Sequence, residues 1–169
     1  MNTKILLTSF QTWLPHQNYN SSDYLLTKIK KRKYPSNISL FFLRNLPVNI
    51  ELATEKVINK IKQLKPNVII CCGMAEKRNK LTIESNASSK SECLFTSADL
   101  KKISKNLITT EISNDAGKFV CEGLYYEVLN HIQLHNEEIH CIFVHAPLLN
   151  NTNLNLIIED FYSIILSFL

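Results

Sequence analysis

The chain has 169 residues, 45% of them hydrophobic and 20% charged, with 19 basic against 15 acidic side chains for a formal charge of +4. That is enough apolar material for one folded domain over residues 1–169 without disulfide or metal staples, and it excludes a disordered chain. The charge is too mild to argue for a nucleic-acid partner, and no apolar run approaches the roughly 18–20 residues of a membrane span.

Residues 4–9 read as a first strand. The apolar stretch there is shorter than the roughly 7–15 residues of a signal-peptide core, so a cytoplasmic protein is expected. A polar loop, 11–22, carries Trp13 and Pro15. Helical spacing of Tyr24, Leu25, Lys28 and Ile29 predicts a helix over 23–32, whose basic end suits the C-terminal dipole. A second strand spans 38–43, Pro47 breaks it, and Asn49 caps a helix whose stripe is Ile50, Ala53, Val57, Ile61 and Leu64. Residues 68–72 form a fully apolar strand, as in a sheet covered on both faces, and Gly73 then opens a loop.

Residues 81–84 suggest a short strand, and the polar stretch 85–102 gives no clear element. A strand over 107–112 and a turn over 113–117, with Asp115 as a turn former, precede a helix over 119–132. In that helix Tyr125 is expected in the core and Tyr126 at the surface or on a pocket wall. Residues 139–144 form another buried strand, and Asn151 or Thr152 caps a last helix with a stripe from Leu154 to Phe168. Strands alternating with helices imply a three-layer α/β/α sandwich around a mostly parallel, twisted sheet. Ligands in such sheets sit beyond the carboxyl ends of the strands. The loops after Ser9, after Cys72, around 113–121 and after Val144 are therefore where function is sought.

Five cysteines, an odd number with no CxxC pair, argue against a disulfide framework or a thiolate zinc site. Cys71, Cys72 and Cys141 belong to apolar runs and read as small buried hydrophobes. Cys121 starts a helix, where a thiolate would be stabilised and the thiol pKa lowered. With His145 after a buried strand and Glu84 ending a short one, the chain holds the parts of a nucleophilic hydrolase. A thiol attacks, an imidazole moves its proton, and a carboxylate orients the imidazole. Spacing alone favours reading all three as structural side chains. His131, His135 and His140 lie near one another, and the first two are four apart, but no HExxH stands there and solvated histidines are expected rather than a metal site.

Glycine is scarce, with only Gly73, Gly117 and Gly123, so those that remain mark special backbone. The run from Gly73 through Met74, Ala75 and Arg78 to Ile83 and Glu84 matches a Gly-x-Ala…Arg…Ile/Val-Glu pattern. The run Ser113-Asn114-Asp115-Ala116-Gly117-Lys118-Phe119-Val120-Cys121 follows Ser-Asn-x-Ala-Gly-x-Tyr-Leu-Cys. Phe143-Val144-His145-Ala146-Pro147 follows Phe-Ile/Val-His-Val-Pro. In these blocks the chain resembles the pyroglutamyl peptidase (pyrrolidone-carboxylate peptidase) family of cysteine peptidases, as a divergent, shortened member. It departs from the family pattern at Ser9, where a glycine stands, and at Ser85, where an arginine stands.

The resemblance implies catalysis by Cys121, His145 and Glu84. It places Phe10 and Trp13 on either side of a flat lactam ring, with Met74 and Arg78 also at the substrate and Arg78 assisting the oxyanion. It implies no cofactor and no metal. The expected partner is a peptide with an N-terminal pyroglutamate or a similar small amide, and the chain is a possible homo-oligomer. The alternative reading is a member with an altered pocket that hydrolyses another small amide or binds a ligand without turnover.

Overall fold

The computed structural model describes residues 2–90 and 92–169; Met1 and, within the polar stretch 85–102, Ser91 lie outside the described residues. In chain order the elements are β1 (Thr3–Phe10), α1 (Ser21–Ile29), β2 (Ile38–Leu46), α2 (Ile50–Leu64), β3 (Val68–Met74) and β4 (Leu81–Glu84). They continue with β5 (Asn86–Ser89), β6 (Glu92–Phe95), α3 (Leu100–Ser104), β7 (Thr110–Ser113), α4 (Val120–Leu134), β8 (His140–Ala146) and α5 (Leu154–Leu166). Among the described residues no helix is long and apolar enough to cross a membrane.

Six strands form one sheet in the order β2-β1-β3-β8-β4-β7. The first four run parallel, while β4 pairs antiparallel with β8 and parallel with β7. Side chains alternate across the sheet, and both sides are apolar. Ile5, Leu7, Val68, Ile70, Ile142 and Val144 face a core closed by α1, α3 and α5. Leu6, Ile69, Cys71, Cys141 and Phe143 face a second core closed by α2, α4 and the β5–β6 hairpin. Burial on both faces is why these strands read as unbroken apolar runs, and the three layers agree with the expected sandwich.

Local chemistry moved several boundaries. Helix α1 starts at Ser21 because Asn20 caps it, its side chain accepting from the Ser22 amide at 3.0 Å. Strand β7 starts at Thr110 rather than 107, because the Ile108 and Thr109 amides donate instead to the buried Asp160 carboxylate on α5 at 3.0 and 2.6 Å. Neither Asn151 nor Thr152 caps α5. Asn153 holds that position, and the Asn150 side chain accepts from the Thr152 and Asn153 amides. The stretch 85–102 contributes the hairpin and α3.

Candidate active site

Strands β1, β3 and β8 end at one edge of the sheet, where β1 lies between β2 and β3 and the crossover helices α1 and α2 cover opposite faces. Such a switch point opens a crevice between diverging loops. A cavity of about 260 Å³ lies there, and Phe10, Trp13, Met74, Arg78, Cys121 and His145 all line it. It is smaller than the roughly 300–1,000 Å³ typical of drug-sized ligand pockets, so it suits a single small residue.

His145 is the penultimate residue of β8 and projects to the α4 side of the sheet, like Phe143 two positions before it. Antiparallel pairing with β4 sets Thr82 opposite His145 and Glu84 opposite Phe143. Glu84 is thus the diagonal neighbour of His145 on the same face, a position within side-chain reach. His145 Nδ1 and Glu84 Oε1 are 2.7 Å apart, both side chains nearly excluded from solvent. Thr82 Oγ1 donates to the same oxygen at 3.0 Å, and the Arg78 guanidinium also pairs with it. Tyr125 on α4 fixes the backbone, its hydroxyl donating to the Glu84 carbonyl at 3.0 Å. Burial alone would raise the Glu84 carboxyl, but His145 and Arg78, bonded to it, hold it below its ordinary value. An ionised carboxylate behind an imidazole fixes the ring's tautomer and favours its protonated form.

Cys121 is the second residue of α4. It reaches back over β3, and a Cβ built on Gly73 would lie 2.6 Å from its Sγ. Gly73 therefore does not open a loop as the sequence suggests. It is a strand residue whose missing side chain makes room for the sulfur. Gly117 has φ +92, a backbone that favours glycine, and its amide donates to the Asp115 side chain at 3.0 Å. This turn brings the chain into α4. The Val120, Cys121 and Glu122 amides, in the first turn, find no acceptor among the described residues. Phe119 stands at the helix cap and makes no capping bond through its side chain.

The expected lowering of the Cys121 thiol does not hold. The residue keeps partial exposure, yet burial pushes the thiol from its ordinary 9.0 up to about 12, with Cys71 and the Glu84 carboxylate adding to the rise and Arg78 opposing it. No hydrogen bond joins Cys121 to His145 among the described residues.

Phe10 forms the floor, almost wholly buried, and Trp13 stands at the rim with its ring centroid 4.7 Å from that of Phe119. Phe119 lines the cavity without having been expected there. The available signal was an aromatic where a helix start prefers Ser, Thr, Asp or Asn. Met74 Sδ accepts the Ser21 amide at 3.2 Å, tying the cavity wall to the start of α1. Arg78 borders the cavity, but its Nη2 donates to the Asp115 carbonyl at 2.5 Å and its Nη1 to Glu84 and Thr82. Ser9, the departure in the first strand, points away from the cavity and donates to Asp23 on α1 at 2.6 Å.

Two further expectations change. Tyr126 is buried beneath the hairpin, donating to Glu92 at 2.6 Å, and is not a pocket wall. The histidines are not simply solvated. His131 is largely buried and stacks on His135 at 4.2 Å, while His140 lies apart on β8 beside Ser97.

A family model described as pyroglutamyl peptidase matches residues 93–161. A pyrrolidone-carboxylate peptidase of Thermoanaerobacter sp. (strain X514) is 29% identical over 172 residues, covering 86% of this chain and 83% of the relative. Another, from Oceanobacillus iheyensis, is 27% identical, covering 85% and 83%. The crystal structure of pyroglutamyl peptidase I from Bacillus amyloliquefaciens shares the fold with a TM-score of 0.85 at 22% identity, over 99% of this chain and 95% of that one.

Proposed function

We propose that the chain is a divergent member of the pyroglutamyl peptidase family, a cysteine omega-peptidase cleaving the amide bond after an N-terminal pyroglutamyl residue. The observation that carries the substrate class is the cavity lining. Among the described residues no carboxylate borders the cavity, while Arg78 and Lys118 do. A free peptide N-terminus is a cation, and burying it there without an acidic partner is unfavourable. A lactam has no such charge, and its flat ring suits the aromatic faces of Phe10 and Trp13.

Cys121 Sγ attacks the pyroglutamyl carbonyl carbon, and His145 takes the thiol proton. The thiol rests protonated, so this transfer accompanies attack rather than preceding it. Sγ and the imidazole are not hydrogen-bonded among the described residues, so the transfer requires the two side chains to come together. First-turn amides of α4 hold the oxyanion. His145 protonates the leaving amine, and water attacks the thioester with His145 again as base. Glu84 holds the ring throughout, and Arg78 acts chiefly by holding Glu84 and the 113–117 turn. Five free cysteines, one of them the nucleophile, suit a reducing cytoplasmic setting.

The test is release of a fluorophore from a pyroglutamyl amide by the reduced protein, beside the prolyl amide, which has a free amine. The pyroglutamyl compound should be cleaved and the prolyl one not. Cys121→Ala should lower the rate at least about 10³-fold with an unchanged circular dichroism spectrum. Undiminished release by that variant would sink the proposal.

A further inference from the structure

Trp13 is 52% exposed and sits on a ten-residue connection, 11–20, without regular structure. A side chain so placed would sample many positions unless its backbone were tied. Gln17 ties it. Its Oε1 accepts the Trp13 amide at 3.1 Å and the Leu14 amide at 3.2 Å, and its own amide donates to the Leu14 carbonyl at 3.0 Å. The other end of the same side chain crosses to the β3–β4 loop, where Nε2 donates to Glu76 Oε1 at 2.6 Å. His16 Nε2 lies 3.2 and 3.1 Å from the two Glu76 oxygens. One amide thus connects the Trp13 backbone to a carboxylate on the loop that also carries Arg78. Glu76 itself does not line the cavity, and no step of the reaction uses it.

We propose that Gln17 and Glu76 are positioning residues that latch the Trp13 loop onto the β3–β4 loop, and that this latch sets affinity for the substrate ring rather than the rate of bond cleavage. The kinetic half rests on the pyroglutamyl-peptidase reading, whereas the latch itself does not. Without Glu76, Gln17 Nε2 turns to water and the loop loses its anchor to the opposite wall. Trp13 then swings from Phe119, and the ring site must be assembled at each binding event, which weakens binding without touching the thiol or imidazole.

Trp13 is the only tryptophan in the chain, so its fluorescence reports the latch directly. In Glu76→Ala, emission should shift to the red and acrylamide quenching should increase. With the pyroglutamyl amide, KM should rise about 3- to 10-fold, the factor one net hydrogen bond contributes, and kcat should stay within about twofold. Glu76→Gln keeps an acceptor for Gln17 and should restore both readouts. Gln17→Ala should reproduce the quenching change of Glu76→Ala; because Gln17 also borders the cavity, KM is compared in Glu76→Ala alone, and circular dichroism should show both variants folded. Equal quenching in wild type and Glu76→Ala would overturn the latch. Increased quenching with unchanged KM, or a fall in kcat alone, would overturn its role in affinity. Failure of the wild type to cleave the amide would count against the pyroglutamyl reading, while the quenching comparison would still decide the latch.

Discussion

At Gly73 a single missing carbon positions the proposed nucleophile, Cys121. Cys121 Sγ occupies the space a side chain there would need, and the Phe143 ring stands 3.0 Å from the same point. Gly73→Ala must therefore displace either the sulfur or the ring. The cheaper movement is rotation of Cys121 away from the sheet. Activity should fall at least about tenfold, while stability drops by about 1–3 kcal/mol, the usual range for overpacking. Comparing kcat with the denaturation midpoint separates the two, and unchanged kcat would mean that the sulfur does not need this seat. The scarcity of glycine marks Gly73 in the sequence, but strand spacing alone assigns it to a loop. The reason it is glycine lies on another element 48 positions along the chain, and only the fold reveals it. The same limit applies to the thiol. A helix start suggests a lowered pKa, and the burial that reverses it is a tertiary property.

Helix α1 shows how elements are fastened beside the site. Arg44 on β2 grips Asp23 with Nε at 2.8 Å and Nη2 at 2.6 Å, Nη2 also reaches Thr27, and Ser9 from β1 donates to Asp23. Burial would raise the Asp23 carboxyl, yet Arg44 and Ser9 bring it below its ordinary 3.8. A lowered native value stabilises the fold fully above 3.8, and that stabilisation is lost as pH falls through the native value. Asp23→Asn should cost about 1–3 kcal/mol at neutral pH. Denaturant titrations of both proteins should converge as pH drops below 3.8, and a gap that widens on acidification would contradict this account. Periodicity revealed α2, β3 and β8 because their apolar stripes repeat without interruption. The β5–β6 hairpin was illegible. It has four residues a side, carries only a few apolar groups, and owes its place to contacts such as Tyr126 with Glu92 and the Ser88 amide with Glu122 on α4.

Across the whole molecule, alternating apolar strands specify a sheet with helices on both faces, and the strand-end rule directs attention to the edge where the cavity lies. Neither specifies that β4 runs against β8. That reversal sets Glu84 diagonally across from His145, and no spacing in the sequence encodes it. The three blocks carrying Glu84, Cys121 and His145 were legible as a resemblance. Their meeting depends on a strand order that inserts β8 between β3 and β4.

That insertion orders events during synthesis. Strands β3 and β4 follow each other along the chain with a six-residue connection, yet they are not neighbours in the sheet. A growing chain that has emerged only through α4 must hold an open slot between them, with two unpaired strand edges exposed to other chains. It already carries its thiol and its carboxylate, but nothing between them to move a proton. The last strand to arrive both closes the sheet and delivers His145, the proposed base. Chains released before residue 140 should therefore show neither cooperative unfolding nor hydrolysis, and should aggregate when synthesised without a holdase chaperone. Recovery of active material from such chains would refute this order. On the proposed mechanism, the topology thus delays the arming of Cys121 until folding is nearly finished.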